Sequence, residues 1–304
     1  AFLNSGDRVV AARALFGSCF MILDELLPRW GIRYDFVDGH DLAQWERALR
    51  TPAQAVFFES PSNPMQDLID VEAVCALARE AGARVIVDNV FATPLLQKPL
   101  ELGADVVVYS ATKHIDGQGR VMGGAVLGAQ ALVDEAYRDF IRHTGPSMSP
   151  FNAWVLLKGL ETLDLRVRRQ SETAAALADR IAAHAKVKTV RYPGRTDHPQ
   201  HELAKRQMTG GGNAMAGGGS LVAFDLGSQA AAFRFLNRLQ LVDISNNLGD
   251  AKTMATHPST TTHRAMTEEQ RLEIGLTAGW VRLSVGLEGV GDLGRDIDRA
   301  LDAA

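Results

Sequence analysis

Short, almost uniformly apolar runs alternate with helix-length amphipathic stretches through the first half of this 304-residue chain. The most apolar of them are residues 84–88 (RVIVD) and 105–110 (DVVVYS). Strands this apolar are usually buried on both faces, as in parallel sheets that are covered by helices. The alternation therefore predicts an α/β domain built around a mostly parallel sheet.

Further elements of the same kind surround these two runs. Three more strands are predicted over residues 8–12, 33–37 and 54–59. Amphipathic spacing predicts helices over residues 18–29, 41–49 and 71–81. Asp70 is a suitable N-cap for the last of these helices.

The pattern changes after residue 127. A long helix is predicted over residues 151–183, with Pro150 placed to start it. Shorter strands (residues 187–191, 220–225 and 281–285) and helices (residues 229–239 and 293–301) are predicted beyond it. We expect a first α/β domain over residues 1–165 and a smaller α+β domain over residues 166–304. The glycine-rich residues 210–219 are predicted to be a flexible connection.

Composition excludes several classes of partner. The chain has 32 Lys and Arg against 36 Asp and Glu, and no basic run, so neither nucleic acid nor an anionic membrane is expected to bind. No apolar run reaches the roughly 18–20 residues that span a bilayer. Cys19 and Cys75 lie far apart without CxxC spacing, which indicates the reducing cytoplasm. We expect a cytoplasmic protein that acts on small molecules.

Reactive side chains follow the ends of three predicted strands. Glu59 and Asp88 end two of them, and Ser110 ends a third, which Thr112 and Lys113 follow closely. Ligands of open α/β sheets bind beyond the carboxyl ends of the strands. An amine for an aldehyde, a carboxylate for a ring nitrogen and hydroxyl donors for a phosphate are what pyridoxal phosphate requires. Each residue alone is more simply a turn former or a surface lysine, but the set favours a site for this cofactor.

Six longer motifs occur along the chain. They are residues 59–64 (ESPSNP), 87–94 (VDNVFATP), 102–113 (LGADVVVYSATK), 246–250 (NNLGD), 257–263 (HPSTTTH) and 281–288 (VRLSVGLE). In sequence and order they resemble the Cys/Met-metabolism family of pyridoxal-phosphate enzymes. The resemblance implies the aminotransferase-like fold, called fold type I, and a homotetramer that is a dimer of dimers.

The resemblance also implies a role for each site residue. Lys113 would be catalytic, forming a covalent imine with pyridoxal 5′-phosphate and moving protons. The implied cofactor-binding residues are Phe16 on the ring, Asp88 at the ring nitrogen, Asn63 near the phenolic oxygen, and Ser110 and Thr112 at the phosphate. The implied substrate-binding residues are Arg282, through a bidentate pair with the α-carboxylate, together with Asn63 and Asn247.

Three details resemble the members of the family that transfer sulfide to O-succinyl-L-homoserine. Phe16 stands where most relatives have tyrosine, Val90 stands where most have threonine, and residues 116–124 (DGQGRVMGG) have the form found in that branch. The implied activity is a transferase γ-replacement that yields L-homocysteine and succinate, in methionine biosynthesis. Three activities remain as alternatives: cystathionine γ-synthesis, sulfide transfer to O-acetylhomoserine, and γ-elimination of methionine.

Two departures from the family bear on the site. Relatives carry a further segment ahead of the position of Ala1, with a Tyr-x-Arg pair and a Gly-Met turn that reach the phosphate. A non-catalytic remnant that keeps the fold without a complete site is therefore another alternative. Phe16 lacks a phenol, so Lys113 is expected to do more of the acid–base work alone.

Other conspicuous residues have simpler explanations. His198 and His201 lack the HExxH order and follow a turn, so we expect solvated loop histidines and no metal. Residues 166–169 (RVRR) are expected on a helix surface. Trp154 and Trp280 are expected in the core.

Overall fold

The chain forms two β-sheets, each packed against its own set of helices. This computed structural model describes residues 1–209 and 218–304. Most of the predicted glycine-rich connection, residues 210–217, lies outside the described residues. Within the described ranges, no helix is both long and apolar enough to cross a membrane.

The first sheet contains six strands. They are β1 (Arg8–Ala12), β2 (Arg33–Val37), β3 (Ala55–Glu59), β4 (Arg84–Asp88), β5 (Val106–Ser110) and β6 (Gly124–Gly128). Their order is β2–β1–β3–β4–β5–β6, and every neighbouring pair is parallel except β5 with β6. The mostly parallel sheet is as predicted, and its parallel strands direct their carboxyl ends to one edge.

Two helices cover one face of this sheet. There, α2 (Leu42–Leu49) and α3 (Val71–Glu80) bury Trp45 and Val74 against the strands. Each begins after an aspartate: Asp41 accepts N–H groups of α2, and Asp70 accepts one of α3. These side chains satisfy amides that the first turn leaves free, which fixes where each helix starts.

The other helical segments of the first sheet's domain are short. The predicted helix over residues 18–29 is α1 (Gly17–Met21), a π-helix (Ile22–Leu26) and a 3₁₀-helix (Leu27–Trp30) in succession. Beyond it lie α4 (Thr93–Leu96), α5 (Gln130–Leu132), a π-helix (Val133–Tyr137) and α6 (Arg138–Thr144).

The predicted single helix over residues 151–183 is wrong in one respect. The structure has two helices, α7 (Pro150–Leu160) and α8 (Leu163–Ala182). Thr162 leaves the helical conformation with φ −114° and ψ 4°, and its hydroxyl accepts a hydrogen bond from Arg166 Nε at 3.1 Å. A threonine side chain that bonds locally competes with helix continuation, and here it separates the two helices.

The second sheet has five strands. They are β7 (Thr189–Arg191), β8 (Leu221–Asp225), β9 (Asp243–Ile244), β10 (Met254–Thr256) and β11 (Trp280–Ser284), in the order β7–β8–β11–β10–β9. Helices α8, α10 (Gln229–Leu236) and α12 (Val290–Asp302) pack on it around a core that includes Phe224 and Phe235. The remaining segments are α9 (His201–Gln207), a 3₁₀-helix (Pro258–Thr260) and α11 (Glu268–Glu273).

Three side chains lie where the sequence did not predict them. Trp154 is 55% exposed on α7, whereas Trp280 is buried as predicted. Arg166 is buried rather than on the helix surface, because its guanidinium donates to the carbonyl oxygens of His114 and Gly159, each at 2.8 Å. His198 is also buried, and burial lowers its pKa to about 4, so it is not a solvated loop histidine.

Candidate active site

A cavity of about 210 Å³ lies at the carboxyl edge of the first sheet. Glu59, at the end of β3, lies in register with Asp88 at the end of β4, and Ser110 ends the neighbouring strand β5. Lys113 follows in a turn, where its own backbone N–H donates to the Ser110 carbonyl oxygen at 3.1 Å. All four residues line this inner cavity. The parallel strands thus bring together groups that are distant in sequence.

A second cavity of about 540 Å³ adjoins the first. Phe16, Lys113, Asn246 and Thr262 line both, so this outer cavity continues from the inner one. All eight residues selected from the sequence line one or both: Phe16, Asn63, Asp88, Ser110, Thr112, Lys113, Asn247 and Arg282. The structure therefore groups them in one place, and their individual roles remain predictions.

Lys113 is held by an amide rather than by an acid. Its Nζ donates to Asn247 Oδ1 at 2.6 Å, and no carboxylate of the described residues pairs with it. Burial and then the nearby positive charge of Arg282 lower the pKa of Lys113. Both effects disfavour the ammonium form. The amine is consequently closer to the neutral state that nucleophilic attack and proton abstraction require.

Arg282 is the buried cation of the site. It is 1% exposed, and burial lowers its pKa to about 10. One Nη donates to Asn63 Oδ1 at 2.9 Å, and the other donates to the carbonyl oxygens of Asn246 and Asn247 at 2.9 and 3.2 Å. Its Nε is buried without a partner among the described residues. A guanidinium fixed by neutral acceptors, with a donor to spare, is suited to a ligand carboxylate.

Two carboxyl groups lie side by side at the strand ends. Burial raises the pKa of Asp88 to about 6, although the backbone N–H of Val90 donates to its Oδ1 at 2.9 Å. Burial, and then the charge of Asp88, raise the pKa of Glu59 well above its usual range. Glu59 also accepts a hydrogen bond from the backbone N–H of Phe16. Glu59 therefore fixes the loop that carries the Phe16 ring.

Cys19 lies close to these carboxyl groups. One ligand-type atom from each of Cys19, Glu59 and Asp88 falls within 4.8 Å of the other two. Burial, together with the charges of both acids, raises the pKa of the Cys19 thiol. Metals bind the thiolate, so a thiol held in its protonated form is a poor ligand. This chemistry supports the expectation of no metal, which stays a prediction.

The hydroxyl residues of the lysine motif differ in their surroundings. Thr112 Oγ1 accepts the Gly123 N–H at 3.0 Å and lies 3.3 Å from the carbonyl oxygen of the same glycine. Among the described residues, the Ser110 hydroxyl has no hydrogen-bond partner and faces the inner cavity. The Ser110 hydroxyl is therefore free to donate to a ligand, whereas Thr112 also closes the loop behind it.

Sequence reasoning gave no role to several residues of the site. Glu59 lies at the carboxyl edge of the sheet, as the sequence predicts. The end of its strand beside that of Asp88 was the signal that could have indicated a role in the site. His263 is fully buried, and its Nε2 lies 3.1 Å from the Asn63 carbonyl oxygen, so it supports the loop that presents Asn63 to Arg282. Arg264 follows it and lines the outer cavity. Only the tertiary structure relates residues this far apart in sequence.

The residues present fit pyridoxal phosphate. Asp88 and Lys113, an acid and an amine, line one cavity without pairing to each other among the described residues. Asp88 would hold a protonated ring nitrogen, Lys113 would bind the aldehyde carbon, and Phe16, 40% exposed at the cavity, would cover the ring. The unpartnered Arg282 Nε provides for a second anion. Such a site on an α/β scaffold defines a pyridoxal-phosphate enzyme.

Comparisons with known proteins agree with this class. The sequence profile described as "Cys/Met metabolism PLP-dependent enzyme" matches residues 1–302. The chain therefore belongs to the Cys/Met-metabolism family of pyridoxal-phosphate-dependent enzymes, as predicted. An O-succinylhomoserine sulfhydrylase of Mycobacterium tuberculosis is 59% identical over 304 residues, which are 99% of this chain and 74% of the relative.

Other relatives and solved structures are similar along the same length. An O-succinylhomoserine sulfhydrylase of Pseudomonas aeruginosa is 45% identical, over 99% of this chain and 73% of the relative. The crystal structure of cystathionine gamma synthase from Xanthomonas oryzae pv. oryzae, in complex with aminoacrylate and cysteine, has a TM-score of 0.94 at 35% identity. The structural match covers 99% of this chain and 76% of the synthase chain. The predicted fold type I is confirmed.

Proposed function

We propose that this enzyme converts O-succinyl-L-homoserine and sulfide to L-homocysteine and succinate by γ-replacement, in methionine biosynthesis. The observation that carries the proposal is the 59% and 45% identity to two proteins named O-succinylhomoserine sulfhydrylase, over 99% of this chain. A relative named L-methionine gamma-lyase is 41% identical. The complete set of predicted site residues around one pair of cavities supports a working enzyme rather than a remnant.

Each residue has a defined task in this reaction. Pyridoxal phosphate, once bound, supplies the electron sink that makes protons of the amino acid acidic. Arg282 and Asn63 bind the α-carboxylate and thereby orient the Cα–H bond toward Lys113. Lys113 Nζ, with its lowered pKa, takes the α-proton and later returns protons to the product. Asn247, which accepts from that Nζ at 2.6 Å, keeps the amine on the substrate side.

The remaining residues hold the cofactor and exclude water. Asp88 keeps a positive charge at the ring nitrogen, and Ser110 with Thr112 binds the phosphate. Phe16 closes the ring face between the inner and outer cavities, where its apolar surface limits the entry of water. Without a phenol at this position, Lys113 is the proton carrier of the site.

Activity toward four substrate pairs tests the proposal. Steady-state rates are measured with sulfide or cysteine on O-succinyl- or O-acetyl-L-homoserine. The pair of succinyl ester and sulfide should have the highest kcat/KM, and a preference for cysteine or for the acetyl ester would assign one of the other family activities. Lys113→Ala should abolish turnover and the visible absorption band of the imine between Lys113 and the cofactor. An intact absorption band with full activity in that variant would refute the assignment of Lys113.

We further propose that the enzyme is a cytoplasmic homotetramer, a dimer of dimers. An apolar surface supports self-association: Phe151, Trp154, Leu157 and Leu165 are 55–69% exposed along α7 and the start of α8. Exposed patches of large apolar side chains usually mark protein interfaces. The division into domains at residues 165 and 166 stays part of this proposal. Sedimentation of the enzyme should give four times the chain mass, and Trp154→Glu should reduce it.

A further inference from the structure

The outer cavity is electrically one-sided. Its lining residues are Phe16, Ser18, Lys113, Asn246, Asn247, Thr260, Thr261, Thr262 and Arg264. Two of these side chains, Lys113 and Arg264, are basic, and none is acidic. A cavity lined by one sign of charge concentrates ligands of the opposite sign. The outer cavity is therefore built for an anionic part of a ligand.

Arg264 is the cation of this cavity that has no other task. Its guanidinium makes no ion pair and no hydrogen bond with the described part of the chain, and the residue is exposed. Its backbone, by contrast, is fixed: the preceding His263 is fully buried and held to the Asn63 carbonyl oxygen, and the Arg264 N–H donates to Thr261. A free guanidinium is thus presented from an anchored loop.

The position of Arg264 relative to Arg282 matters for a dianionic substrate. Arg282 is buried in the inner cavity, where the α-carboxylate is proposed to bind. Arg264 lines the outer cavity, and Lys113 lines both. A substrate whose α-carboxylate is on Arg282 and whose Cα faces Lys113 can extend its ester chain into the adjoining outer cavity. Succinyl and acetyl esters of homoserine differ there by a terminal carboxylate, which only the succinyl ester has.

We propose that Arg264 binds the distal carboxylate of the succinyl group and so selects the succinyl ester over the acetyl ester. This inference rests on the function proposed above. Arg264 is a specificity-determining residue: it acts on substrate binding and takes no part in bond breaking. The same contact should hold succinate, the leaving group, by its free carboxylate. An arginine fork matches a carboxylate with two parallel hydrogen bonds, which an ammonium cannot reproduce.

The test compares Arg264→Gln and Arg264→Lys with the wild-type enzyme. Arg234→Gln is the matched control. Like Arg264, Arg234 is exposed and has no ion pair among the described residues, but it lies on α10 and lines neither cavity. The ratio of kcat/KM for the succinyl ester to that for the acetyl ester, both with sulfide, should fall about five- to tenfold in Arg264→Gln. The fall should come from a higher KM for the succinyl ester, because the contact is the same in substrate and transition state. Arg264→Lys should recover part of the ratio.

Two further readouts are specific to an ion pair. Inhibition by succinate should weaken in Arg264→Gln, and added NaCl should reduce the wild-type ratio more than that of the variant. An unchanged ratio in Arg264→Gln, or an equal loss with both esters, would overturn the inference. Failure of the proposed function appears separately, as a wild-type enzyme that does not turn over the succinyl ester.

Discussion

Asp88→Asn should make the cofactor-free chain more stable at neutral pH. Burial raises the pKa of this carboxyl from 3.8 to about 6, so ionising it in the folded chain is unfavourable. That difference corresponds to about 3 kcal/mol at a pH above both values. Asp88 retains some contact with solvent, and screening makes about 2 kcal/mol the expected gain. The amide keeps the Oδ1 acceptor that the Val90 N–H uses.

The sign and the pH range follow from linkage. A carboxyl whose pKa is raised in the folded state binds its proton more tightly there than in the unfolded chain. It therefore favours folding at low pH, and this contribution is lost as the pH rises through about 6. An amide does not titrate. The difference in stability between variant and wild type should be below about 1 kcal/mol near pH 4.5 and reach its full size by pH 8.

Urea unfolding of the cofactor-free proteins at these two pH values measures the effect. Asp105→Asn is the control, because Asp105 is exposed and also accepts a backbone N–H, that of Val85 at 2.8 Å. Added pyridoxal phosphate should reverse the order, since a ligand that binds the wild type better stabilises it more. A variant that is no more stable than the wild type at pH 8, or that is equally stabilised at both pH values, would show that ionising Asp88 does not destabilise the folded chain.

Substitutions at three further residues test the arrangement of the site. Arg282→Lys should raise the KM for the amino-acid ester by roughly ten- to a hundredfold, because an ammonium cannot form the bidentate pair; a fall confined to kcat would contradict this. Glu59→Gln keeps an acceptor for the Phe16 N–H and should retain most of the cofactor affinity, whereas Glu59→Leu should lose about tenfold in fluorescence titrations. Equal losses would show that the charge of Glu59, and not its acceptor, is needed. Phe16→Tyr places a phenol in the cavity and should alter the rate and its pH profile; an unchanged profile and rate would exclude a special role for the absent hydroxyl.

The residues of the site were predictable because the sheet is parallel. Apolar runs located the strands, and the polar residue after each run then had to lie at the carboxyl edge. Asp88, Ser110 and Lys113 needed no more than this rule and the chemistry of the cofactor. Arg282 lies in β11 of the second sheet and Asn247 between β9 and β10, and only the resemblance to the family connected them with the first sheet.

What escaped prediction depends on tertiary contacts. Arg166 lies in a charged run that is typical of a helix surface. It is buried because it donates to the carbonyl oxygen of His114, next to Lys113, and no local sequence pattern indicates this contact. Trp154 is apolar yet exposed, since composition does not reveal which apolar side chains pack inside the chain. Strands β9 and β10 have two and three residues, too few to show a period of two.

The site contains two pairs of like charges. They explain both its reactivity and a loss of stability in the cofactor-free chain. Glu59 lies beside Asp88, and Lys113 lies near Arg282. Burial raises the pKa values of both acids and lowers those of both bases, and like-charge repulsion adds to the shifts of Glu59 and Lys113. The pKa values of Asp88 and Lys113 are thereby moved toward neutral pH. Each of these pKa shifts also lowers the free energy of unfolding of the cofactor-free chain. A cofactor with a cationic ring nitrogen would offset the repulsion between the two acids, and a substrate carboxylate would offset that between the two bases. We therefore expect the binding of each to restore part of the lost stability.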